Sequence, residues 1–174
     1  MVKQFFFKIL VAGPGGAGKT SLLQQYIKNM FDPSTKMTIG VDFFLKEVDM
    51  GTDDKVSLQI WDLGGQKMFQ ELHKDYVEGA KGALVLIDLT NFFQTKRVQK
   101  WVELVRSERK DLPIIFIGNK SDLKDDIMVD DKYLKELTEE HNMDAVLKTS
   151  AKTGENVDKA FELLTKAILD NHRS

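Results

Sequence analysis

The sequence contains no cysteine among its 174 residues, and its positive and negative charges nearly cancel. The absence of cysteine excludes disulfide cross-links, thiolate zinc sites, cysteine nucleophiles and cysteine-linked lipid anchors. No apolar run approaches the ~18 residues of a membrane helix. The net charge of −2 argues against a polybasic nucleic-acid or membrane surface. We therefore expect a soluble, cytoplasmic protein with no nucleic-acid partner and no direct membrane anchor in this chain.

Short apolar runs alternate with longer amphipathic segments along the chain. This pattern predicts strands at 5–12, 41–49, 56–61, 83–88, 114–117 and 145–149, and helices at 21–30, 94–109, 130–141 and 155–170. Several of the strand segments are continuously apolar, which is typical of strands that are buried on both faces. We expect a single α/β domain over residues 1–174, with a mostly parallel six-stranded sheet and helices on both faces.

A glycine-rich loop lies between the first predicted strand and the first predicted helix. Residues 13–20 read Gly-Pro-Gly-Gly-Ala-Gly-Lys-Thr and fit the phosphate-loop pattern G-x-x-x-x-G-K-[ST]. Glycines let the backbone aim N–H groups at a polyphosphate, and the following helix adds its positive N-terminal end. Lys19 reaches the β- and γ-phosphates, and the Thr20 hydroxyl binds Mg²⁺. This motif alone leaves ATPases and small kinases open. The nucleotide-binding residues assigned here are Gly13, Gly15, Gly16, Ala17, Gly18, Lys19, Thr20 and Ser21.

A second polar motif, Asn119-Lys120-Ser121-Asp122, follows the apolar run at 114–117. One carboxylate can accept from both the N1–H and the 2-amino group of guanine, and adenine offers no such donor pair at that edge. Asp122 is therefore the candidate that selects the base, although an ordinary strand-to-helix turn also uses Asn and Asp. Downstream, Thr149-Ser150-Ala151-Lys152 ends another predicted strand and offers a backbone N–H to the 6-oxo group of guanine.

With these motifs in place, the chain resembles the Ras-like small GTPases. Residues 13–20, Thr38, 62–66, 119–122 and 150–152 occur in the order and spacing of that family. The stretch Thr38-Ile39-Gly40-Val41-Asp42-Phe43 is most similar to the Rab branch, as are Trp61 and residues 79–82. In contrast, Asp62-Leu63-Gly64-Gly65-Gln66 is similar to the Arf branch.

The resemblance implies a P-loop NTPase G domain that acts as a GTP-binding molecular switch. Such a protein slowly hydrolyses GTP to GDP and phosphate with Mg²⁺, and the likeness to Rab proteins implies a role in trafficking or signalling. One alternative is a scaffold that binds guanine nucleotides without hydrolysing them. A P-loop ATPase or kinase is a further alternative.

The resemblance also implies roles for individual residues. Gln66 would orient the attacking water, Gly65 would donate its N–H to the γ-phosphate, and Lys19 would neutralise charge. These three residues form the expected catalytic set. The expected metal ligands are Thr20, Thr38 and Asp62, with Asp62 acting through a water.

The remaining implied roles concern the base and the closing of the site. Phe31 would pack edge-on to guanine, and Asn119 would bind the base and brace the phosphate loop. Lys120 would lie along the ring system, and Ala151, between Ser150 and Lys152, would donate to the 6-oxo group. Thr35 stands where many relatives carry an aromatic residue that closes over the phosphates.

The composition of the two switch segments, residues 32–40 and 63–75, predicts which partners the protein needs. No arginine occurs before Arg97, so the phosphate loop and the segments 32–40 and 63–75 supply none to the site. We expect hydrolysis on the order of 10⁻⁴ to 10⁻² s⁻¹ and a GTPase-activating protein that inserts an arginine. An exchange factor is also expected, and effectors would read Phe43, Trp61 and Tyr76. The chain is expected to be a monomer that reaches membranes only through a partner or a missing tail.

Overall fold

A six-stranded sheet runs through the centre of the protein, in the strand order β2-β3-β1-β4-β5-β6. The computed structural model describes residues 2–29, 31, 41–64 and 75–173. Within these ranges the strands are β1 (Gln4–Ala12), β2 (Val41–Val48), β3 (Lys55–Leu63), β4 (Ala80–Asp88), β5 (Ile114–Asn119) and β6 (Ala145–Lys148). The helices are α1 (Lys19–Lys28), α2 (Val98–Val105), α3 (Asp131–Glu140) and α4 (Val157–Arg173), with 3-10 turns at Phe92–Arg97 and Lys124–Asp126.

All pairings in this sheet are parallel except that of β2 with β3. A parallel pair needs a long crossover, usually with a helix, whereas β2 and β3 are joined by only a short turn. In that turn the side chain of Asp49 accepts a 2.8 Å hydrogen bond from the Gly51 N–H. Gly51 has φ +73°, a left-handed conformation that glycine adopts at little cost. The expected α/β fold with a mostly parallel sheet is confirmed.

Two apolar cores lie on opposite faces of the sheet. One joins the sheet to α1 and α4, where the rings of Tyr26 and Phe161 stack at 3.8 Å. The other joins it to α2 and α3 and includes Trp101 and Phe116. Because both faces are covered, every residue of β5 is buried, which accounts for its apolar run at 114–117. Within the described ranges, no helix combines the length and apolar character needed to cross a bilayer.

The helix predicted at 94–109 is shorter than expected. A 3-10 turn occupies Phe92–Arg97, and α2 then covers only Val98–Val105. At the start, the Asn91 side chain accepts from the Phe93 N–H, and this cap favours a tight turn over an α-helical entry. At the end, the Ser107 hydroxyl donates a 2.7 Å hydrogen bond to the Leu104 carbonyl. A side chain thus bonds to a carbonyl that, in a longer helix, would accept from the backbone.

The first helix also differs from expectation, because α1 begins at Lys19 instead of residue 21. Gly18 precedes it with φ +91°, which allows the helix to start directly from the glycine-rich loop. At the other end Asn29 is left-handed, and its N–H donates 3.0 Å to the Gln25 carbonyl. This closure is typical of a helix C-terminus. The prediction at 130–141 agrees with α3 to within one residue at each end.

Candidate nucleotide-binding site

The polar motifs meet at the carboxyl edge of the parallel strands. The loop at 13–18 follows β1, Asp62 lies near the end of β3, and Asn119 ends β5. The parallel register pairs Val11 with Asp62. In open α/β sheets, ligands bind at this edge, outside the carboxyl ends of the strands. The topology therefore gathers the phosphate-loop and base-reading motifs into one place.

Two glycines of the loop stand where a side chain has no room. A Cβ on Gly13 would collide with the backbone carbonyl of Leu86 in β4. A Cβ on Gly18 would collide with the side-chain amide of Asn119, and Gly18 also has φ +91°. The loop is therefore pressed against both β4 and the end of β5. This close approach explains why the motif needs glycine at these two positions.

Lys19 is held inside the loop. Its Nζ donates to the carbonyls of Gly13 at 2.7 Å and Pro14 at 3.1 Å, and the residue is only 6% exposed. Burial lowers the pKa of Lys19 to about 8, and the negative charge of Asp62 opposes that shift. The ammonium is thus poorly solvated by water, and anionic phosphates placed at the loop would stabilise its charged form.

Thr20 and Asp62 place two oxygen ligands side by side. The Thr20 Oγ1 donates 3.1 Å to Asp62 Oδ2, and Asp62 is fully buried. Hydroxyl and carboxylate oxygens suit Mg²⁺, which takes one or two protein ligands and completes its shell with phosphates and water. In the part of the chain that is described, no three His, Cys, Asp or Glu side chains gather as a metal site. The pair therefore fits a magnesium ion that is shared with a polyphosphate and does not fit an all-protein metal cage.

Asn119 connects the turn at 119–122 to the phosphate loop. Its Nδ2 donates 3.0 Å to the Ala17 carbonyl, and its Oδ1 accepts 2.9 Å from the Thr149 hydroxyl. The residue is buried, so neither bond competes with bulk water. The expected bracing of the loop by Asn119 is thus present in the structure.

Asp122 is held by the turn that follows β6. The Ser150 hydroxyl donates 2.8 Å to Asp122 Oδ1 and accepts 3.0 Å from the Thr153 N–H. The Ser121 N–H also donates 3.0 Å to the Thr149 carbonyl, which ties the two turns together. Ala151 is buried. These contacts place the two segments assigned to the base next to each other.

Other predicted residues occupy the periphery of the site or lie outside the described ranges. Ser21 lies in the first turn of α1, Lys152 is exposed, and Phe31 is 36% exposed just beyond α1. Thr35, Thr38, Gly65 and Gln66 lie outside the described residues, and their assigned roles stay predictions.

Sequence reasoning missed two residues that join parts of the site. Asp88 ends β4, and its Oδ2 accepts 2.8 Å from Lys120 Nζ. Gln94 accepts 2.7 Å from the Asp88 N–H through Oε1 and donates 3.2 Å to the Gly15 carbonyl through Nε2. An acidic residue at the carboxyl end of a buried strand was a usable signal for Asp88. No pattern in the sequence relates Gln94 to the loop.

Three aromatic residues form a partly exposed surface beside the site. The Trp61 ring lies 5.2 Å from that of Phe43 and 5.3 Å from that of Tyr76. Phe43 is 48% exposed. The ammonium of Lys8 lies 4.4 Å from the Trp61 ring centre, within cation–π range. The three residues expected to meet effectors are therefore contiguous.

Sequence comparison relates the chain to known proteins. The sequence model described as the Ras family matches residues 8–170. The Ras-related protein Rab-32 of Sus scrofa is 34% identical, over 99% of this chain and 78% of that protein. The GTP-binding protein ypt4 of Schizosaccharomyces pombe is 33% identical, over 95% of this chain and 72% of that protein. The Ras-related protein Rab-11C of Dictyostelium discoideum is 36% identical, over 95% of this chain and 73% of that protein.

Proposed function

We infer the function of this chain from its family: it belongs to the Ras family, whose members are small GTPases. The chain is a GTP-binding switch that hydrolyses GTP, and its Rab-named relatives assign it to the Rab branch. The observation that carries this conclusion is the family match over residues 8–170. Neither the scaffold nor the ATPase or kinase alternative is favoured by these relatives.

The phosphate loop binds and neutralises the polyphosphate of the nucleotide. Lys19 supplies a poorly solvated positive charge, and the loop N–H groups with the N-terminal end of α1 add further positive potential. Thr20, Thr38 and Asp62 are the ligands proposed for Mg²⁺. When bound, that ion neutralises charge on the β- and γ-phosphates.

Hydrolysis is proposed to depend on Gln66 and Gly65. Gln66 orients the attacking water, and the Gly65 N–H binds the γ-phosphate. Phosphoryl transfer to water is limited by positioning and by charge neutralisation, and no arginine precedes Arg97 to supply the missing charge. The isolated chain therefore hydrolyses GTP slowly, and an activating protein that inserts an arginine accelerates this hydrolysis.

The second switch segment, residues 63–75 with Asp62 before it, is proposed to combine features of the Rab and Arf branches. Asp62-Leu63-Gly64-Gly65-Gln66 has the glycine pair of Arf proteins within a chain that is otherwise similar to Rab proteins. Two successive glycines can adopt φ values closed to other residues, so this hinge is more permissive than one that carries alanine. Lys67 follows Gln66 where Rab proteins usually carry glutamate, and this reversed charge is the ground for proposing that the exchange factors of this chain differ from those of typical Rab proteins.

Effectors are proposed to bind the aromatic surface of Phe43, Trp61 and Tyr76. This surface includes Trp61, which directly precedes the proposed metal ligand Asp62 in the chain, so the nucleotide state can alter it. A role in trafficking or signalling follows, with the protein in the cytoplasm and reaching membranes through a partner or a tail. Trp61 fluorescence should change when GDP is replaced by a GTP analogue, and an unchanged spectrum would contradict this coupling.

The most direct test of the nucleotide and metal is analysis of what the purified protein carries. Mass spectrometry should detect bound GDP or GTP, and EDTA should release it because the magnesium ion is shared with the phosphates. Competition by ATP should leave binding intact, whereas GDP should displace the bound nucleotide. A phosphate-release assay then separates a slow GTPase from a scaffold that never hydrolyses GTP.

A further inference from the structure

Gln94 forms a direct link between the phosphate loop and the end of β4. The residue is 6% exposed and lies in the 3-10 turn Phe92–Arg97. Its Oε1 accepts 2.7 Å from the Asp88 N–H, and its Nε2 donates 3.2 Å to the Gly15 carbonyl. One buried amide therefore joins two backbone groups that are 73 positions apart, residue 15 in the loop and residue 88 in the strand.

The turn that presents this amide is itself fixed by several hydrogen bonds. The Asn91 N–H donates 3.0 Å to the Asp88 carbonyl, and the Gln94 N–H donates 3.2 Å to the Asn91 carbonyl. The Thr95 hydroxyl donates 2.7 Å to the Phe92 carbonyl. The backbone of Gln94 is thus held before any ligand arrives. Such a side chain can orient its partner with little further loss of conformational freedom.

The loop peptide that Gln94 contacts lies between two glycines, which restrict its rotation less than other residues would. It joins Gly15 to Gly16, and Gly16 has φ +84°. Because a trans peptide is planar, the Gly16 N–H points opposite to the Gly15 carbonyl and therefore away from the amide of Gln94. We propose that Gln94 is a positioning residue, which holds this peptide so that the Gly16 N–H faces the phosphates of the nucleotide.

The inference rests on the binding of a guanine nucleotide at the loop, and it adds a residue to that site. Without the Nε2 donor, the Gly15–Gly16 peptide is free to rotate between two glycines, and each rotation removes a donor from the phosphates. Asp88 also accepts from Lys120, so the same link connects the loop to a residue assigned to the base. The main effect is expected on phosphate binding, because the contact is made to the loop itself.

The test compares two variants at this position with a matched control. Gln94→Glu keeps an oxygen for the Asp88 N–H but removes the donor to Gly15, whereas Gln94→Met removes both bonds at similar volume. Gln99→Met is the control, because Gln99 is an exposed glutamine just beyond the same turn and bonds only Glu103 among the described contacts. Three quantities are measured for each protein: the rate of GDP release, the affinity for GMP, which lacks the β-phosphate, and the ³¹P chemical shift of the β-phosphate of bound GDP.

Both Gln94 variants should release GDP on the order of tenfold faster, because the Gly15–Gly16 peptide must then be ordered each time the nucleotide binds. GMP affinity should change less than twofold, and the β-phosphate resonance should shift only in the Gln94 variants. Wild-type release rates in either variant, or an equal loss for GMP and GDP, would overturn the inference. If one variant does not fold, the other decides. A wild-type protein that fails to bind GDP would instead overturn the proposed function.

Discussion

Ser150 is expected to act on nucleotide affinity through Asp122. Its hydroxyl is buried and donates 2.8 Å to Asp122 Oδ1. A hydrogen bond to a charged group contributes about 1.5–3 kcal/mol. Because this bond exists without nucleotide, Ser150→Ala should lower the free energy of unfolding by about 2 kcal/mol. The affinity of the Ser150→Ala protein for GDP should fall only by the free energy needed to order the Asp122 side chain on binding. This cost is about 0.5–1.5 kcal/mol, which corresponds to an affinity about 2- to 10-fold lower.

Ser121→Ala provides a matched control for this substitution. Ser121 lies next to Asp122 in the turn after β5, and its buried Oγ has no hydrogen-bond partner among the described residues. Removing this hydroxyl therefore breaks no contact seen in the structure, and we expect affinity for GDP to stay within about twofold of wild type. Affinity is measured by titration with fluorescent GDP, and stability by urea unfolding of the nucleotide-free protein.

A double-mutant cycle decides whether Ser150 works through Asp122. In an Asp122→Ala background, Ser150→Ala should have no further effect on GDP affinity, because its acceptor is already gone. An effect of full size in that background would refute the reasoning. So would equal losses of affinity in the Ser150→Ala and Ser121→Ala proteins.

Three further outcomes are expected. Gly18→Ala should lower the free energy of unfolding in urea by about 1–3 kcal/mol, because Gly18 has a left-handed φ and an added Cβ would overlap Asn119. Gly51→Ala is the control: it has a similar φ but open space around it, and should cost only about 1 kcal/mol. Equal losses in the two proteins would contradict the overlap. Asp122→Asn should lose affinity for GDP and gain it for xanthosine diphosphate, and unchanged GDP binding would rule out base selection by this carboxylate. The pKa of Lys19 is about 8 when folded, below the ordinary 10.5, so the unfolded chain binds more protons between these values. The nucleotide-free protein should therefore gain stability as pH rises from about 8 towards 10.5, and a Lys19→Met protein should show a smaller gain, because burial also lowers the pKa of Lys8.

Lys19 illustrates how the fold prepares a residue for its ligand. In the folded protein its ammonium contacts the Gly13 and Pro14 carbonyls and lies near Asp62, yet burial still lowers its pKa. These contacts therefore do not fully replace water. A polyphosphate at the loop would supply the missing negative charge, so the folding cost of burying this group is recovered when the nucleotide binds.

The sequence was sufficient for the types of elements and for the chemistry of the site. Alternating apolar and amphipathic segments predicted the strands and most helices, because burial on one face or two faces imposes its own periodicity. Residues 13–20 and 119–122 could be read as loop and base motifs, since each is a contiguous segment whose donors act together. The helix predicted at 94–109 was wrong in its first part, where the local cap of Asn91 favours a 3-10 turn.

Tertiary structure alone decided how these segments meet. The bonds from Gln94 to Gly15, from Asn119 to Ala17 and from Ser150 to Asp122 join residues 79, 102 and 28 positions apart. Their existence depends on the strand order, in which β1 lies between β3 and β4. That order is set by the burial of both sheet faces and by the crossover helices, which act over the whole chain. A motif can therefore state which atoms bind a nucleotide, but only the packed sheet determines which residues hold those atoms in place.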